Sequence, residues 1–174
     1  MTIIDKTAIR KEKQDDEDSI TKLNDMVFNS TEESAIVSRL RESGDLFLSL
    51  VAEIDSEIVG HVAFSRVTLD SCEGDEVFMG LAPMSVAPGH QRKGIGSALV
   101  NQGIEILKEQ SVAAVFVLGH KDYYPKFGFK PTQSTYGIKS TYDVPDEVFM
   151  ALELKIDVLN DVEGIARYCG AFGG

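Results

Sequence analysis

The residues with the most chemical potential lie in one stretch: Ser85-Val86-Ala87-Pro88-Gly89-His90-Gln91-Arg92-Lys93-Gly94-Ile95-Gly96-Ser97. Its pattern reads as the end of a strand, a glycine-containing loop and the start of a helix. Free N–H groups at a helix start make an anion site, and glycines let a phosphate approach the backbone. Arg92 and Lys93 add positive charge to a chain whose formal net charge is −11. A pyrophosphate is the natural guest. Two other phosphate loops fit less well. Gly89 and Gly94 have the gap of G-x-x-x-x-G-K-[ST], but Ile95 stands where the lysine must reach the terminal phosphates. Gly94 and Gly96 begin G-x-G-x-x-G, but Leu99 takes the third glycine's place. The structural alternative is a plain glycine turn that opens a packed helix.

Gln91-Arg92-Lys93-Gly94-Ile95-Gly96 resembles the Gln/Arg-x-x-Gly-x-Gly/Ala signature of GNAT acetyltransferases. Further along, Tyr124-Pro125-Lys126-Phe127-Gly128-Phe129 is similar to that family's Tyr-x-x-Leu/Phe-Gly-Phe ending, and the two motifs fall in the family's order. The resemblance extends from about residue 7 to residue 155 and is strongest over 80–129. Leu81-Ala82-Pro83-Met84 and the paired Tyr123 and Tyr124 resemble the YhbS-like subgroup.

The resemblance implies acetyl-CoA as co-substrate. Gln91, Arg92, Lys93, Gly94, Ile95, Gly96 and Ser97 would then hold the coenzyme A pyrophosphate, with Met84, Ser85 and Val86 alongside the pantetheine arm. It also implies that a backbone N–H at or near Val86 polarises the thioester carbonyl and that Tyr124 protonates the departing sulfur. One feature departs from the pattern. Many relatives carry an Asn-x-x-Ala helix before the tyrosine, whereas here Gly119-His120-Lys121-Asp122 leads almost directly to Tyr123 and Tyr124.

Acyl transfer to an amine needs a neutral amine, a polarised carbonyl and a protonated leaving group. A tyrosine with an ordinary pKa of about 10 suits an acid better than a base at neutral pH. Packing is the competing role for Tyr124, Tyr123 competes for either part, and Phe127 and Phe129 read as core. For the base the candidates are Glu76, His120, Asp122 and Glu147, with water an equal alternative. His61, mid-strand beside Gly60, reads as a satisfied sheet residue. Cys72 and Cys169 have no activating neighbour, so direct attack by the amine is expected rather than an acyl-enzyme. With His61, His90 and His120 scattered, metal-ligand spacing is absent from the sequence. The expected function is acetyl transfer to a primary amine of a small molecule or peptide in a ternary complex. The rivals are a non-catalytic coenzyme A-binding sensor or scaffold, and an interaction protein whose glycine loop is only a turn.

The elements needed to position these residues can be read along the chain. Residues 7–13 suit an edge strand, and the acidic run 15–18 suits a helix start, capping free N–H groups ahead of Ile20, Leu23, Met26 and Val27. Thr31 and Ser34 open a second helix that Gly44 stops. Residues 46–54, 58–69 and 77–86 read as strands, the first two joined by a turn at Asp55-Ser56-Glu57. A helix over 94–110 carries Ile95, Ala98, Leu99, Ile106 and Leu107. A buried strand at 113–118, a helical turn at 123–127 and a final strand at 148–156 follow. The fold class is α/β with a mixed sheet. The resemblance makes it a GNAT-like acyl-CoA N-acyltransferase fold with a central, mostly antiparallel sheet flanked by helices.

At 174 residues one domain is expected, with a core over 7–156 and an unassigned tail over 157–174. The acidic balance argues against nucleic-acid binding. The N-terminus has no apolar core of signal-peptide length and no apolar run approaches membrane-span length, so a soluble cytoplasmic protein is expected. It would be a monomer or homodimer, with residues 28–48 and 133–145 as walls for the acceptor.

Overall fold

The computed structural model describes residues 1–72, 74–160 and 162–173. β1 (Ala8–Lys11) is followed by α1 (Glu17–Phe28), which buries Ile20 and Leu23 at helical spacing. α2 (Glu32–Ser43) buries Val37 and Leu40 and stops at Gly44, where φ of +78° favours glycine. β2 (Leu46–Ile54) and β3 (Glu57–Leu69) are joined through Asp55 and Ser56, both left-handed, as a two-residue hairpin turn requires. Next come β4 (Phe78–Val86), α3 (Ile95–Glu109) and β5 (Ala114–Leu118). They are followed by β6 (Lys130–Pro131), α4 (Thr132–Tyr136), β7 (Ile138–Ser140), β8 (Phe149–Glu153) and β9 (Gly164–Tyr168).

Several expectations change, and Met26, expected on the apolar face of α1, is exposed. The Asp16 carboxylate makes no cap bond into α1; it accepts from the Lys13 N–H and is held by Arg10, whose guanidinium lies 2.6 Å away. α3 buries Ile95, Leu99, Val100, Ile104 and Leu107, while Ala98 and Ile106 are only half-buried. The strand expected over 148–156 covers Phe149–Glu153 and is not the last, because β9 follows in the tail.

The chain divides into two compact units. The first comprises Met1–Phe64 and Pro83–Ile106, with strand order β1-β2-β3-β4 and β1 antiparallel to β2 from Ala8↔Glu53 to Lys11↔Leu50. Gly60 makes room for α3: a Cβ there would lie 3.0–3.1 Å from Leu99, Ile95 and Ala52. Its neighbour His61 points to the opposite face, as alternation demands, and meets Asn24 of α1.

His61 is fully buried within a directional polar chain. Arg41 of α2 holds Glu12 through two bonds of 2.9 and 3.0 Å, so Glu12 is an acceptor only. Ser49 therefore donates its hydroxyl proton to Glu12 and accepts from His61 Nε2 at 2.9 Å. Nδ1 is left as the acceptor for the Asn24 amide at 3.3 Å. This clasp fastens α1 and α2 to β2 and β3.

The clasp makes the fold acid-labile. Burial pushes His61 from 6.5 down to about 4, against the pull of Glu12. Burial alone would raise the Glu12 carboxyl, but bonds from Arg41 and Ser49 outweigh it and hold it below its ordinary value. Between pH 6.5 and 4 the unfolded chain binds the proton that folded His61 refuses. Stability therefore rises with pH across that window, and on the order of 3 kcal/mol is lost as pH falls through it. Thermal melts from pH 7 to 4.5 should show a falling Tm. His61→Leu should start lower, with Ser49 and Asn24 robbed of a partner, and show a flatter slope.

The second unit comprises Ser65–Ala82 and Leu107–Gly174. β4 runs parallel to β5 from Phe78↔Ala114 to Leu81↔Val117, and β8 is antiparallel to β5 and β6. β9 pairs antiparallel with β3 and parallel with β7. The core gathers Val67, Phe78, Phe116, Ile138, Phe149 and Leu159, with the Phe116 and Phe149 rings stacked at 5.9 Å. β4 continues to Val86 beyond its last pair with β5, and Pro83, two residues past that pair, has no N–H to donate to a ladder.

Candidate active site

In the first unit, β4 delivers the chain into a tight loop. The Ala87 N–H donates to Val59 O of β3 at 2.8 Å. N–H groups alternate along an extended chain, so that of Val86 points away from β3. Met84 is half-buried; Ser85 is buried, and its hydroxyl has no partner among the described residues.

Two side chains shape the loop itself. Gln91 Nε2 donates to Val86 O at 2.9 Å, and Lys93 Nζ donates to Gly89 O at 2.6 Å. The backbone then turns left-handed twice, at Arg92 (φ +59°) and Gly94 (φ +88°). For arginine that conformation costs about 1 kcal/mol or more, a strain typical of ligand-binding turns. Buried Ile95 anchors the helix start, and the first α3 bond runs from Ala98 N–H to Gly94 O at 2.9 Å. The N–H groups of Ile95, Gly96 and Ser97 consequently have no carbonyl within the helix to bond. Exposed Arg92 and Lys93 lie beside them, and free N–H groups next to cations are of the kind that can bind an anion. Met84, Ser85, Val86 and the stretch from Gln91 to Ser97 are thus placed at one strand end and one helix start.

Tyr124 belongs to the second unit, at the start of the 3₁₀ turn Tyr124–Phe127, which left-handed Gly128 closes. The turn replaces the longer helix of the family pattern. The Tyr124 ring lies against Gly119, where a Cβ would sit 2.3 Å from it, and packs edge-on against Phe129 at 5.6 Å and Tyr123 at 5.1 Å. Burial, helped by Tyr123, pushes its phenol well above the ordinary tyrosine value, so it stays protonated. Tyr123 instead lies beneath the Lys126 ammonium, 3.8 Å from the ring centre. Phe129 is buried as expected, whereas Phe127 is only half-buried.

The candidate bases lie at the surface. His120 and Asp122 are both 76 % exposed and 4.0 Å apart; Glu147 pairs with Lys121 at 3.1 Å and Glu76 with Lys155 at 2.6 Å. Among the described residues, no group of three His, Cys, Asp or Glu side chains could hold a metal ion. No helix among them is long and apolar enough to cross a membrane. Sequence reasoning passed over Gly119, whose missing side chain seats Tyr124, and Tyr168, which β9 brings over Gly80.

A strand that ends in a glycine turn and opens a helix with free N–H groups is an α/β arrangement. More narrowly, residues 12–129 match the acetyltransferase (GNAT) family, and the chain belongs to it. It is 35% identical over 134 residues to the uncharacterized N-acetyltransferase YjhQ of Escherichia coli (strain K12), covering 76% of this chain and 74% of YjhQ. It is 34% identical over 143 residues to the uncharacterized N-acetyltransferase YhbS of the same strain, covering 81% and 83% of the two chains. The crystal structure of Escherichia coli YhbS in complex with CoA superposes with a TM-score of 0.91 at 32% identity, over 97% of this chain and 93% of that one. A GNAT acetyltransferase from Brucella melitensis in complex with acetyl-CoA gives 0.79 at 32% identity, over 95% and 97%. The chain is therefore a GNAT N-acetyltransferase with a mixed α/β sheet flanked by helices.

Proposed function

We propose that the enzyme transfers the acetyl group of acetyl-CoA to a primary amine of a small molecule or peptide, by direct attack in a ternary complex. The observation that carries this reading is the left-handed turn at Arg92 and Gly94 just ahead of α3, whose first N–H groups have no carbonyl within the helix to bond. YhbS with CoA and the Brucella melitensis enzyme with acetyl-CoA support the choice of donor.

In this reading Arg92, Lys93 and the N–H groups of Gly94, Ile95, Gly96 and Ser97 take the pyrophosphate. Gln91 acts mainly through the loop it braces. Met84, Ser85 and Val86 run beside the pantetheine arm. The amine attacks the thioester carbon, and the carbonyl oxygen becomes an oxyanion that the outward Val86 N–H meets. Collapse breaks the C–S bond, and the electron pair leaves on sulfur. Tyr124 donates a hydrogen bond to that thiolate, and the proton shed by the attacking nitrogen balances the thiol product. A phenol held above its ordinary value is always loaded but is a weak acid. Stabilising the thiolate is thus its larger contribution, ahead of complete proton transfer.

Calorimetric titration with acetyl-CoA, ATP and NAD tests the donor. Binding of acetyl-CoA alone in the micromolar range, about −8 kcal/mol, is expected. Binding of ATP or NAD with none of acetyl-CoA would overturn the reading. Gly119→Ala supplies a separate check on Tyr124. Its added Cβ forces the ring aside, so turnover should fall roughly tenfold or more with donor affinity kept, since small misplacements cost that much. Stopped-flow thiol release gives the rate, and an unchanged value would separate Tyr124 from catalysis.

A further inference from the structure

The tail strand β9 carries a tyrosine into the second unit at the level of β4 and β5. The Tyr168 ring lies over Gly80 of β4, where a Cβ would be 2.3 Å from it, so the missing side chain is what admits the ring. Its hydroxyl donates to the Phe116 carbonyl of β5 at 3.2 Å. Phe172 packs edge-on against it at 5.0 Å, and Tyr142, on the wall of a 310 Å³ cavity, lies at 6.5 Å. β5 ends at Leu118, and the next residue is Gly119, the seat of Tyr124. Tyr168 is thus tied to the strand whose end holds Tyr124. The two phenols are also close enough to interact electrostatically: burial first, then Tyr124, pushes the Tyr168 phenol up.

We propose that Tyr168 is a positioning residue for Tyr124: anchored to Phe116 and seated on Gly80, it fixes the place of the neighbouring phenol. The inference rests on the reading of Tyr124 as the acid. It gives the C-terminal strand a part in the reaction beyond filling a sheet edge. In this role Tyr168 acts on neither donor nor amine directly. Its hydroxyl proton is already spent on Phe116 O, and its effect is transmitted through Tyr124 alone.

The test is a double-mutant cycle with Tyr168→Phe, Tyr124→Phe and the pair, reading thiol release from acetyl-CoA with hydroxylamine, a probe nucleophile too small to need an acceptor pocket. Phenylalanine keeps the ring over Gly80 and removes only the anchor. Tyr168→Phe should lower kcat roughly tenfold in wild type and not at all in the Tyr124→Phe background, the non-additivity of residues that act as a unit. Acetyl-CoA affinity should stay within about twofold, because no donor contact is lost. The ¹³Cζ resonance of Tyr124 in tyrosine-labelled protein should shift on Tyr168→Phe, a readout that needs no turnover. Losses that multiply, or a Tyr124 resonance that does not move, would overturn the positioning role. Wild-type rates in Tyr124→Phe would remove the acid itself, whereas a slow Tyr124→Phe with a silent Tyr168→Phe removes only the present inference.

Discussion

Gly94→Glu is expected to abolish measurable acetyl-CoA binding while leaving the chain folded. Space is not the obstacle: a Cβ at Gly94 meets only Ile4 Cδ1, at 3.9 Å. The φ of +88° makes any L-residue strained there, at about 1 kcal/mol, and a carboxylate near a helix N-terminus recovers part of that through the macrodipole. The charge decides the outcome. A carboxylate about 4 Å from a phosphate repels it by roughly 4 kcal/mol at an effective dielectric of 20, on the order of a thousandfold in affinity. Gly94→Ala carries the strain without the charge and should lose only a few-fold. Calorimetry beside thermal melts separates binding from folding. A folded Gly94→Glu protein that still binds acetyl-CoA would move the anion site away from α3.

The sequence made some of this architecture readable because its local signals agreed with one another. α1, α2 and α3 have apolar stripes at helical spacing, and Gly44 falls where a left-handed stop is needed. The turn ahead of α3 was legible for the same reason: Gly94 is left-handed, a backbone demand that sequence displays directly. β6, β7 and β9 were not readable. They have two to five residues, and only Ala166 of β9 is buried, so no alternating apolar run marks them. They form because longer strands offer edges: β3 for β9, β8 for β6. Tyr168 stayed hidden with its strand. The displaced face of α3, with Val100 and Ile104 buried, has a similar cause, since Phe64 packs where Gly103 leaves space. Asp16 shows local propensity giving way, because Arg10 from β1 offers it a charged partner that the helix end cannot match.

Tyr124→Phe should lower kcat about a hundredfold, the lower end of what a positioned acid supplies, and leave acetyl-CoA affinity within twofold. The substitution removes one oxygen and keeps the ring, whose contacts with Gly119, Tyr123 and Phe129 are what hold the 3₁₀ turn. Stability should therefore hardly change. The pH dependence gives a sharper discrimination than the rate alone. Because burial holds the phenol above the ordinary tyrosine value, wild-type kcat should show no alkaline fall from this group up to about pH 10. A fall below pH 9 that disappeared in Tyr124→Phe would mean a phenol exposed to water, not one enclosed among rings. A rate unchanged by Tyr124→Phe would leave the leaving thiolate to be stabilised by solvent, and would return Tyr124, with its seat on Gly119, to packing.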